Sequence, residues 1–72
     1  MDKKKLRHEL AELNEAIDDC YNAIHNNSIN LLCDHKNKGW HLAQREKLLG
    51  MAAQYRQMHE EFMSKYADII NS

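Results

Sequence analysis

Apolar residues recur along this chain at helical spacing in two long runs, with a short polar segment between them. In the first run Leu6, Leu10, Leu13, Ile17, Cys20 and Ile24 are spaced 4, 3, 4, 3 and 4 residues apart, and Leu31 resumes the stripe seven residues after Ile24. Such a stripe is the a/d seam of a heptad pattern, which lies along one side of an α-helix. Glu9, Glu12, Glu15, Asp18 and Asp19 fall off the seam, where water solvates them. The residues are mostly good helix formers, so a helix is predicted from about residue 3 to about residue 35. Asp2 is its candidate N-cap, set against the three lysines Lys3, Lys4 and Lys5, whose charge opposes the helix dipole. The Asn26-Asn27-Ser28 segment is the weak point, because Asn and Ser bond to nearby backbone in place of the helix. Leu31 keeps the phase set by Ile24, which favours one continuous helix over a break.

The second run carries His41, Arg45, Leu48, Ala52, Tyr55, His59, Phe62, Tyr66 and Ile69 at intervals of 4, 3, 4, 3, 4, 3, 4 and 3. A helix from about residue 40 to about residue 70 follows, with Gly50 off the stripe at a cost of roughly 1 kcal/mol relative to Ala. Between the runs lies Asp34-His35-Lys36-Asn37-Lys38-Gly39, and the turn itself is placed at residues 36–39. Gly39 suits the residue just past a helix end, where a positive φ costs glycine nothing. Lys36 and Lys38 suit a helix C-terminus, and Asn37 is the alternative cap for the second helix.

Folding one run back on the other tests this reading. In an antiparallel pair each a position faces a d position, and one register matches Leu6–Tyr66, Leu10–Phe62, Leu13–His59, Ile17–Tyr55, Cys20–Ala52, Ile24–Leu48, Asn27–Arg45 and Leu31–His41. Its centre is residue 36, inside the polar segment that composition had already selected. The layers at the open end are apolar and those near the turn are polar, so the turn end is expected to be looser and wetter. The predicted fold is an all-α, antiparallel two-helix hairpin forming a single domain over residues 1–72.

One such hairpin leaves apolar surface over. The second helix has a further column at Leu42, Leu49, Met63 and Ile70, interrupted by Arg56, and Met51 and Met58 lie on its opposite flank. The flanks of the first helix are mostly small or polar: Arg7, Asn14, Ala16 and Ala23. A helix face that wide is normally covered. The expectation is that two hairpins pair into a four-helix bundle, or that the hairpin docks on another protein.

Composition narrows the classes. A chain of 72 residues is marginal on its own core, and short chains usually gain stability from a metal, disulfides or a partner. Hydrophobic residues at 43% and charged residues at 29% exclude a disordered tail, and the absence of Pro leaves long helices unbroken. The net charge of −1 is split as −2 over residues 1–36 (five Lys/Arg, seven Asp/Glu) and +1 over residues 37–72 (five Lys/Arg, four Asp/Glu), so no general pull toward nucleic acid or anionic lipid follows. Two cysteines, Cys20 and Cys33, do not make a disulfide framework. No apolar segment follows the basic N-terminus and no run is long enough to cross a membrane, so a cytoplasmic location without membrane contact is expected.

Candidate chemistry is sparse. Cys33, His35 and His41 bracket the turn and are proper zinc ligands, but Cys20 is about 20 Å away along a helix and no CxxC or HxxxH spacing exists. A small zinc-binding protein is therefore kept only as the least favoured alternative, and no metal site, cofactor or catalytic residue is assigned. His59-Glu60-Glu61 lacks the second histidine of a zinc-protease helix, since position 63 is Met. Asp18 and Asp19 have no pocket, and two helices enclose no cleft for a small-molecule substrate. Lys3, Lys4, Lys5 and Arg7 at one end, and Lys36, Lys38, Arg45 and Lys47 near the turn, make an RNA- or DNA-binding hairpin dimer the runner-up, with Trp40 and His41 available to stack.

The first reading is a non-enzymatic interaction module, such as an adaptor, regulator, chaperone or inhibitor, that binds a helical protein or itself. Its contact face is assigned to Leu42, Leu49, Met51, Met58, Met63 and Ile70, and a secondary contact site to Lys36, Lys38, Trp40 and His41.

Overall fold

The computed structural model describes residues 2–71. Two helices make up the fold: α1 spans Lys3–Cys33 and α2 spans Lys38–Asn71. They pack against one another as a hairpin within an envelope of 52 × 15 × 13 Å. The all-α, two-helix hairpin read from the heptads is thus the architecture.

α1 begins as its sequence dictates. Asp2 stands in an extended conformation, and its carboxylate accepts from the Lys4 amide at 3.0 Å. That bond satisfies one of the orphan donors of the first turn and offsets the three adjacent lysines. The helix runs unbroken through Asn26-Asn27-Ser28. Ser28 is accommodated by donating its hydroxyl to the Ile24 carbonyl at 3.0 Å, four residues back, which keeps the polar group satisfied inside the helix.

The turn has the expected length but falls two residues earlier, at residues 34–37. α1 stops at Cys33, Asp34 forms its C-cap by donating its backbone N–H to the Asn30 carbonyl, and α2 starts at Lys38. Gly39 lies inside α2 with a negative φ, so it supplies no left-handed residue. The alternative reading of Asn37 is the one observed in position: its carbonyl accepts the His41 amide at 3.0 Å, the first bond of α2. The chain reverses without any positive φ among the described residues. The device that replaces it is the Asp34 side chain, which ties both sides of the turn together.

The core is a single thin seam. Its buried apolar residues are Leu6, Cys20, Ala52 and Ile70, and its buried polar residues are Asn27 and His41. Cys20 and Ala52, predicted to share a layer, are both small, which lets the helices approach at mid-length. At its far end the seam departs from the strict heptad: Ile70 is 8% exposed, whereas Ile69 is 37% exposed. A straight helix drifts by about 20° per heptad, so the four heptads from His41 to Ile69 accumulate roughly 80°, close to one residue's 100° step. The residue returning to the seam is then Ile70. Ile70 therefore belongs to the core and leaves the contact face assigned to it. Next to it, Arg7 donates to the Ile70 carbonyl at 3.4 Å, placing positive charge on the C-terminal end of α2.

Candidate interaction site

At the turn end the layers are polar, as the heptads indicate, but they are closed. Asn27 is 5% exposed and donates from Nδ2 to the His41 carbonyl at 2.9 Å. A helical carbonyl points toward the C-terminus, so this bond lies at the level of the predicted Asn27–Arg45 layer. Arg45 donates to the Ser28 hydroxyl at 2.8 Å in that same layer, and that hydroxyl in turn donates to the Ile24 carbonyl. The expectation of a loose, wet end is corrected: a chain of hydrogen bonds replaces apolar contact there.

His41 anchors the turn. The residue is 6% exposed, and Nε2 lies 3.1 Å from the Asp34 carboxylate. A carboxylate only accepts, so Nε2 carries the proton. Asn37 donates from Nδ2 to the same Asp34 oxygen at 2.9 Å. These bonds hold the Asp34 carboxyl below its ordinary value of 3.8; the Asn37 side chain contributes most, then the His41 side chain, against a smaller opposing effect of burial. His41 is thus withdrawn from the secondary contact site, because its ring faces the hairpin interior and its hydrogen bond is used on Asp34. Lys36, Lys38 and Trp40 remain exposed, with Trp40 at 62% and its ring edge-on to His41 at 5.2 Å.

Cys33 and His35 are exposed while His41 turns inward, and no group of three metal-ligating side chains forms among the described residues. Cys20 and Cys33 are free thiols, one buried and one exposed. A depression beside Gln57, Glu60, Glu61, Ser64 and Lys65 lies on α2 alone and brings no second element to bear on a ligand.

The contact face is divided by the structure. Leu42 and Leu49 are exposed on one flank of α2 and Met51 and Met58 on the other, while Met63 is half-buried. The Met side borders a groove between the helices. One stretch of it is lined by Ala16, Asp19, Cys20 and Ala23 from α1 and by Leu48, Met51 and Tyr55 from α2. It continues toward the open end past Leu13, Met58, Phe62 and Lys65, and toward the turn past Asn30 and Gln44. The groove exists because α1 sets only alanine where α2 sets methionine, so the two rims differ in height. Leu32 and Trp40 are further large apolar side chains in water, Leu32 being 76% exposed. Sequence reasoning assigned no role to Leu32, since it sits one position past the seam residue Leu31 and has no periodic partner. No helix among the described residues is long and apolar enough to cross a membrane.

No protein-family model, curated protein or solved structure matches this chain.

Proposed function

We propose that this hairpin is a non-enzymatic protein-interaction module, an adaptor, regulator, chaperone or inhibitor whose exposed flanks are covered by a helical protein surface. One observation supports the reading above others. Among the described residues four apolar ones are buried, whereas Leu32, Trp40, Leu42, Leu49, Met51 and Met58 all stand in water. Exposed apolar side chains gathered along a helix, on a chain too short to bury them itself, are what a partner covers. Methionine suits such a face, because its flexible, polarisable side chain fits surfaces of different shape.

The test is association with helicity as its control. Glu is introduced on both flanks together, as Leu49→Glu with Met58→Glu. The helical circular dichroism signal is expected to persist while association, with itself or with a protein captured from a lysate, is lost. A wild-type chain that is monomeric, folded and captures no protein would refute the module.

Lys36, Lys38 and Trp40, exposed together beside the turn, favour one second reading, in which the turn end contacts nucleic acid. Binding to a mixed single-stranded RNA would then fall steeply with salt, because each neutralised phosphate releases counterions. Binding that is absent at low salt removes that reading.

A further inference from the structure

We infer that the Met-rimmed groove is a self-complementary interface, occupied by a second copy of this chain related by a two-fold axis parallel to the helices. This rests on the interaction-module reading and names its partner. The geometry begins with two columns that border the groove at heptad spacing. On α1 Ala16 and Ala23 line the groove, and heptad spacing extends their column to Glu9; on α2 the column is Lys65, Met58 and Met51. A rotation about an axis parallel to the helices leaves each residue at its own level and lays α1 of one copy over α2 of the other. The contacts between copies therefore inherit the hairpin's internal antiparallel register. In that register Ala16 lies within two residues, about 3 Å, of the level of Met58 of the other copy, as do Ala23 of Met51 and Glu9 of Lys65, and these are the column residues nearest one another. Within these two columns each Met faces an Ala, and the one charged pair is of opposite sign; Asp19 and Glu61 also line the groove. At the turn end the same columns continue as Asn30 and Gln44, two amide side chains able to bond one another. Because the contact is isologous, every pair occurs twice.

Surface area points to the same occupant. The chain exposes 5580 Å². A compact monomer of 8.5 kDa would expose roughly 4,650 Å² on the usual mass scaling. The surplus of roughly 900 Å² matches the ~800 Å² per partner that a standard stable interface covers. A net charge of −1 offers little repulsion between copies.

The alternative two-fold, perpendicular to the helices, would put the turns at opposite ends and bring Ala16 against Ala23 and Met51 against Met58 of the other copy. It leaves alanine facing alanine, which fills no space. Cysteine cross-linking separates the two arrangements. In the full chain carrying Cys33→Ser, with Cys20 left in the core, Ala16→Cys and Met58→Cys chains are prepared separately and mixed, then treated with a short bis-maleimide. The expected result is a cross-linked dimer containing one chain of each kind, in at least several-fold excess over the product from mixed Ala16→Cys and Ala23→Cys chains. The reverse excess overturns this pairing. Mass in solution supplies the second arm. Met51→Glu with Met58→Glu should shift the wild-type dimer to monomer at the same concentration, whereas Leu42→Glu with Leu49→Glu should leave it dimeric. If the Leu variant dissociates and the Met variant does not, the groove assignment is overturned while the interaction-module reading stands. A wild-type chain that is monomeric at high micromolar concentration overturns the second copy as occupant. Specific capture of a different protein by that monomer would again leave the broader reading intact.

Discussion

Replacing Asn27 by leucine should stabilise this hairpin, and the reason lies in the atoms around it. Asn27 Nδ2 bonds the His41 carbonyl, but its buried Oδ1 has no hydrogen-bond partner among the described residues. The His41 carbonyl sits inside α2, where it also accepts from the amide four residues on, so removing Asn27 does not orphan it. Leucine branches at Cγ as asparagine does and fits the same outline. The loss is one neutral hydrogen bond, worth about 1 kcal/mol net, and the gain is relief of an unsatisfied buried acceptor, worth about 1–3 kcal/mol. Burying apolar in place of polar surface adds to the gain, partly offset by the slightly larger methyl groups. The balance is a stabilisation of about 1–2 kcal/mol, or a Tm rise of about 4–8 °C per kcal/mol for a domain of this size. Asn27→Ala is the control. It relieves the same unsatisfied acceptor and loses the same bond but leaves a void, so it should melt below Asn27→Leu by the equivalent of about 2–5 kcal/mol. Thermal unfolding followed by circular dichroism, at one fixed chain concentration, reads both. If Asn27→Leu melts lower than the wild type, the amide is fully satisfied in the folded protein and the polar layer is a stabilising network.

The other expectations concern the turn, the seam and the thiols. The Asp34 carboxyl is held below 3.8, so its contribution is present above that value and lost as pH falls through the lower, folded-state value. Asp34→Asn should therefore be less stable than wild type near neutral pH and show a shallower acid-side loss in a pH series of melts; equal acid slopes would remove Asp34 as the turn's anchor. Ile70→Ala should cost about 2 kcal/mol and Ile69→Ala under about 0.5 kcal/mol, read from denaturant midpoints, since only Ile70 is buried. Equal costs would argue that the seam does not drift. An aromatic disulfide reagent should label one thiol per native chain rapidly and the second only on unfolding, because Cys33 is exposed and Cys20 buried. Two fast thiols would contradict a closed seam at Cys20.

How far the sequence could be read differs from residue to residue. The stripe from Leu6 to Ile24 and its continuation from Leu48 to Tyr66 specified the hairpin, because 4-3 spacing has one geometric meaning. The end of the stripe was misplaced by one residue, since a strict seven-residue repeat ignores the slow drift that brings Ile70 inward. Gly39 misled because glycine is only one of several ways to reverse a chain. Here the Asp34–His41–Asn37 contacts do the work, and side-chain bonds across a turn leave no periodic signal. His41 and Asn27 stood on the seam, but whether they would close it was not legible for the same reason: burial of a polar group depends on its partner, and Asp34 and the His41 carbonyl become partners only once the chain has folded. The flank residues Leu42, Leu49, Met51 and Met58 were legible as surplus apolar surface. Their division into two separate flanks, one of them bordering a groove, needed the alanine side of α1 in place opposite them.

On the proposal above, the hairpin is incomplete alone and a second copy of itself covers it. Sedimentation equilibrium across low to high micromolar chain concentration tests it most directly. A mass of twice the 8.5 kDa chain at the upper end, falling toward one chain on dilution with Tm falling alongside, is the predicted result. A mass of one chain throughout, with a concentration-independent Tm, would contradict it.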